Sequence, residues 1–96
     1  MIEKEWEYRG YQLMVEAMQN RRIRSGYVTV PRCHPAYGAK DLGGITYSEK
    51  QDDGQWRFGF DGLLTLNEAS DECELLANQL YDMEKAVYHS GDKQGR

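Results

Sequence analysis

Cys33, His34, Cys73 and His89 are the side chains of this chain able to hold a metal or move a proton near neutral pH. Two cysteines and two histidines are the number a tetrahedral zinc site takes, but their spacing rejects one. Cys73 and His89 fall on one predicted helix sixteen positions apart, about 24 Å at the helical rise. Cys33 and His34 are adjacent, which strains chelation by both. No metal and no cofactor is expected. His34, in Cys33-His34-Pro35-Ala36-Tyr37-Gly38, reads either as a general base or as a loop histidine donating to a backbone carbonyl. No serine or second cysteine stands in a nucleophile motif beside it, so the reading leans away from an enzyme.

Anion chemistry is the next possibility. Gly43-Gly44 looks like a phosphate cradle, yet no lysine or serine follows in the required pattern and a strand comes next. A tight turn is the better account. Arg21, Arg22, Arg24 and Arg32, with Tyr27 among them, form a basic cluster in sequence. Such a set suits an anionic nucleotide, or is simply the solvated end of a hairpin. Direct nucleic-acid binding is not expected, because the net charge is −4 and such binding wants a basic domain. Residues 61–96 hold eight acids against three bases, a net of −5, which leaves +1 for the rest.

These residues need a scaffold, and ninety-six residues suffice for one domain. With 40% hydrophobic and 11% aromatic residues the chain is too apolar for a disordered tail. No apolar run approaches the 18 or so residues of a membrane span. The start, Met1-Ile2-Glu3-Lys4-Glu5, has no apolar stretch like that of a secretory signal. Two widely separated cysteines are no disulfide framework, so a reducing compartment is expected.

Period-two alternation marks the strands. Trp6 and Tyr8 alternate with charged residues, and Tyr11, Leu13, Val15 and Ala17 alternate in the opposite phase. A β-bulge at Gly10 accounts for the slip. Residues 11–19 also tolerate a helix, but their β-branched and aromatic flanks favour the strand. Gln19-Asn20-Arg21-Arg22 is a turn, Ile23 to Val30 the returning strand, and Pro31 and Pro35 end it. Residues 31–44 form a long loop. Ile45-Thr46-Tyr47 and the arm of Trp56, Phe58 and Phe60 make a hairpin about Asp53-Gly54. Ala69, Cys73, Leu76, Leu80, Met83 and Val87 form one helical stripe. Thr65 with Glu68 fits a capping box, Asn67 is an alternative cap, and Gly91 reads as the stop.

The expectation is an α+β domain spanning 1–96: a four-stranded antiparallel sheet over about 6–61, one amphipathic C-terminal helix over about 67–90 packed on one face, and a frayed tail. Tyr27, Tyr37 and Tyr47 are expected to gather at one end of the sheet. The loop, being the longest irregular stretch, is the expected binding surface, with Arg32, His34, Tyr37 and Lys40 in or beside it and Tyr27 and Arg24 close by.

At Gly26-Tyr27-Val28-Thr29-Val30-Pro31, His34-Pro35, Tyr37-Gly38, Gly43-Gly44-Ile45-Thr46-Tyr47 and Trp56-Arg57-Phe58-Gly59-Phe60-Asp61, the chain resembles a group of small proteins of tailed bacteriophages and prophages. The likeness spans roughly residues 6–82. It implies a phage accessory protein acting in the cytoplasm of the bacterial host, and it carries no activity or site residue with it. The resembled proteins have a histidine before the Gly-Gly, where this chain has Leu42. They have a cysteine- and histidine-containing segment where it has Gly62-Leu63-Leu64, which moves the reading further from catalysis. The functions expected are, first, binding and inhibition of a host protein or defence complex. Second comes sequestration of a nucleotide signal, in a pocket that a homodimer would have to enclose, and third a small enzyme using His34.

Overall fold

The computed structural model describes residues 1–18, 22–40 and 42–94, with side chains as far as Val87. The strands are β1 (Ile2–Tyr8), β2 (Tyr11–Ala17), β3 (Ile23–Val30), β4 (Tyr47–Lys50) and β5 (Trp56–Leu63), followed by the helix α1 (Leu66–Gln94). They form one sheet in the order β1-β2-β3-β5-β4, with every neighbouring pair antiparallel.

The α+β class holds, but the sheet has five strands rather than four. The extra strand comes from Gly10, which sits in a turn and not in a bulge. Arg9 and Gly10 have φ of 55° and 84°, the pair of positive values that a two-residue type I′ hairpin turn demands. Tyr8 therefore faces Tyr11 across a tight hairpin, and Trp6 faces Leu13. A genuine bulge lies earlier, between Ile2 and Lys4. Residues 11–17 are strand, as the β-branched flanks indicated. Of the expected turn at 19–22, residues 19–21 lie outside the described residues. In the second hairpin the arm runs Tyr47–Lys50, and Gly54 takes φ 89° in the turn.

Register assigns every side chain to a face. Trp6, Tyr11, Leu13, Val15, Val28, Val30, Trp56, Phe58 and Phe60 share one face, and α1 lies over its β1–β3 half. Thr65 opens the helix with a reciprocal cap. Its Oγ1 accepts the Glu68 N–H at 3.1 Å, and Glu68 Oε1 accepts the Thr65 N–H at 2.9 Å. Asn67 thus lies inside the helix. Ala69, Cys73, Leu76, Ala77 and Leu80 are buried, whereas Val87 is 55% exposed because the helix has run past the sheet. Gly91 does not stop it, since the helix continues to Gln94.

The long connection from β3 to β4 completes the layer. Ala36, Tyr37, Ala39, Leu42 and Ile45 all pack against the core, with the Tyr37 ring 5.2 Å from that of Trp56. The fold requires the length of this loop: it supplies the half of the cover that the helix does not reach. No helix among the described residues is long and apolar enough to cross a membrane.

Candidate functional site

His34 is buried within the loop at 4% exposure, and both its nitrogens are used. Nδ1 accepts the Ala36 N–H at 2.9 Å, which leaves the proton on Nε2. That N–H donates to the Leu80 carbonyl at 2.9 Å, with Tyr11 Oη 3.1 Å away. Tyr11 in turn donates its O–H to Glu84 at 2.6 Å. His34 is therefore a neutral pin joining loop, sheet and helix. It has no lone pair to offer a substrate.

Burial pushes the His34 pKa below its ordinary value, against smaller opposing effects of the Leu80 carbonyl and Glu84. An imidazole whose folded pKa is depressed stabilises the fold above its unfolded value of about 6.5. That contribution is lost as pH falls through the folded pKa. We expect the melting temperature to start falling as pH drops below about 6.5, above the range in which ordinary carboxylates near 4 protonate. His34→Gln should show a shallower drop, and the His34 ring should titrate by NMR below about 6.5. Equal pH slopes in parent and variant, with ring titration at the ordinary value, would refute the assignment.

The other expected site residues do not converge. Tyr37 donates its O–H to the Gly54 carbonyl at 2.8 Å, and Arg32 Nε reaches the same carbonyl at 3.4 Å. Both clamp the loop to the β4–β5 turn. Lys40 places its ammonium 5.2 Å from the Trp56 ring. Arg24 pairs with Glu3 at 2.6 Å and donates to the Leu64 carbonyl at 2.7 Å, on the helix side of the sheet. Tyr27 is on the opposite face. It meets Tyr47 edge-on at 5.5 Å, while Tyr37 stands apart from both.

Among the described residues no helix covers that opposite face. Register lays its side chains in rows: Glu7, Gln12, Thr29, Arg57 and Glu49, then Glu5, Met14, Tyr27, Gly59 and Tyr47, then Glu16, Ser25 and Asp61. Gly59 has no side chain, and the Tyr27 ring lies over it, within 2.7 Å of where a Cβ would stand. Arg57 stacks 5.5 Å from that ring and donates to Thr29 at 3.3 Å. Ser25 donates to Asp61 at 2.6 Å. The centre is thus tyrosine, methionine and arginine, with Glu5, Glu7, Glu16, Glu49 and Asp61 around it. Of this set the sequence marks Tyr27 as a candidate binding residue and Tyr47 as its expected neighbour. Met14, Tyr47 and Arg57 occupy alternate strand positions, a signal that becomes readable only once the pairing order is known.

On the covered side a cleft of about 280 Å³ opens between α1, the Gly43-Gly44 turn and β5. Ile45, Phe60, Leu64, Leu75 and Leu76 give it apolar walls. The turn beside it is the tight kind expected, with Gly44 at φ 83° and the Ile45 N–H donating to the Leu42 carbonyl at 3.3 Å. Cys73 is buried against Gly26, and burial raises its thiol pKa to about 12, which makes it a packing group and not a nucleophile. Among the described residues no three His, Cys, Asp or Glu side chains converge as metal ligands would. Neither a protein family, nor a curated protein sequence, nor a solved structure matches this chain.

Proposed function

We propose that this protein works by binding a protein partner with a basic surface, through the uncovered face of its sheet. The composition of that face carries the reading. Tyrosine, methionine and arginine are among the residues enriched at the centres of protein interfaces, and here Met14, Tyr27 and Arg57 lie on the inner strands of the face, with Tyr47 beside Tyr27 on β4 and acids around them. The acids steer a basic partner inward and reject an acidic one. The resemblance to tailed-phage proteins suggests the setting, a phage accessory protein in the cytoplasm of the bacterial host, and inhibition of a host protein or defence complex is the activity we propose for it there. The nucleotide reading draws less support, because Arg24 commits its guanidinium to Glu3 and the Leu64 carbonyl, and Arg32 lies apart from it, against the Gly54 carbonyl. The reading of His34 as a catalyst draws less still, since the ring is fully engaged.

The test is a comparison of two double variants by pull-down from host lysate. Tyr47→Ala with Arg57→Glu should release a partner that the parent retains. Arg32→Ala with Tyr37→Ala should keep it wherever circular dichroism shows the variant folded. The reverse pattern would move the site to the loop.

A further inference from the structure

Of the two edge strands of the sheet, β1 and β4, β1 has the chemistry that points to one kind of occupant. Tyr8 and Tyr11 flank a two-residue turn, so they exchange both backbone hydrogen bonds. Bonded and non-bonded pairs then alternate along the ladder. Trp6 and Lys4 bond inward to β2, which leaves the N–H and C=O of Glu5 and Glu7 pointing out of the sheet. The same two residues put their carboxylates on the uncovered face, opposite Met14 and Gln12. Every outward backbone site in this stretch therefore comes with a negative charge beside it.

This arrangement disfavours a two-fold dimer of the chain through β1. A two-fold pairing of β1 with β1 through these groups sets Glu5 against Glu5, Glu7 against Glu7, or Glu5 against Glu7. Like charges directly opposite destabilise a strand pair, and glutamates on an edge block self-association. A strand with lysine or arginine at two alternate positions meets the same edge with opposite charges, and its intervening residue falls beside Trp6. The edge at β4 is shorter, four residues against seven in β1.

We infer that β1 takes up an extended basic-apolar-basic segment of the partner protein as an added strand. The inference rests on the binding role proposed above and specifies how the partner enters. Strand addition would widen the acid-rimmed face by one strand.

The probe is an acetylated heptapeptide of alternating lysine and valine, with its glutamate-valine counterpart as control, read by NMR amide hydrogen exchange. The lysine peptide should protect the amides of Glu5 and Glu7, and the glutamate peptide should not. Protection should fade as salt shortens the screening length below about 5 Å. Glu5→Pro removes one outward N–H at a position where an edge strand tolerates proline, and should abolish protection at Glu7. Glu5→Gln with Glu7→Gln keeps the backbone and should weaken binding about fivefold. Unchanged protection at Glu5 and Glu7 at millimolar lysine peptide, or equal protection by the glutamate peptide, overturns the inference. Peptide-induced shifts at Tyr47 and Arg57 without edge protection would discard the edge and leave the face. Edge protection, with the natural partner still retained by the Tyr47→Ala, Arg57→Glu variant, would support the edge and discard the face.

Discussion

Phe58→Ala is expected to cost about 3–5 kcal/mol, the range for truncating a fully buried ring. A domain of this size holds about 5–15 kcal/mol in all, so the variant should melt at least about 12 °C lower or fail to fold. Phe58 is wholly buried. It stands in β5 opposite Val28, in the middle of the covered face, so no neighbour can collapse into the space without dragging a strand or the loop with it. Leu63→Ala is the matched control, because Leu63 is 78% exposed near the end of the same strand. Thermal melts of the two variants decide the matter. A Phe58→Ala protein within a few degrees of the parent would mean that helix and loop do not close over β5 as described.

Gly26→Ala should also destabilise, although alanine suits a strand better than glycine does. A Cβ there would stand 2.2 Å from Phe60 Cζ and 2.7 Å from Cys73 Sγ. The glycine is what lets α1 approach β3 so closely. Overpacking of this kind costs about 1–3 kcal/mol, or roughly 4–8 °C of melting temperature for each of those kilocalories. Part of the loss should return in a Cys73→Ala background, where the sulfur is gone. A double-mutant cycle by chemical denaturation should then give a coupling of about 0.5–3 kcal/mol. Strict additivity would show that the helix simply shifts aside.

The helix and the aromatic arm were legible because each pattern has one interpretation. A 4-3-4-3 apolar stripe behind Thr65 and Glu68 does not describe a strand, and Trp56, Phe58 and Phe60 at period two do not describe a helix. Gly10 was different. A bulge and a two-residue turn both reverse the parity of the buried positions, so Trp6, Tyr8, Tyr11 and Leu13 look alike in either case. What separates them is whether Arg9 also takes positive φ, which the residue type does not announce. The loop's packing role is hidden in the sequence for a related reason. Its apolar residues at 36, 37, 39, 42 and 45 follow no period, and their role depends on how far α1 reaches across the sheet. The candidate residues scattered because the partners of Arg24, Arg32, His34 and Tyr37 are distant in sequence: Glu3, Gly54, Leu80 and Gly54 again.

The bonds that fix α1 run to the opposite end of the chain. Trp6 donates to Glu74, Tyr8 and Arg9 donate to Asn78, and Tyr11 donates to Glu84, contacts separated by up to 73 positions. During vectorial synthesis the first hairpin leaves the ribosome long before the helix that locks it. The nascent sheet must wait with Leu13, Val15 and Val28, on the half of the face that the loop does not cover, bare. Long-range closure of this sort slows folding and exposes apolar surface meanwhile. A chain halted before Leu66 would carry all five strands and lack the element that shields β1–β3, so termination there should yield a species captured by chaperones or aggregated. Closure over the first strands becomes a late event, coupled to release of α1 from the exit tunnel.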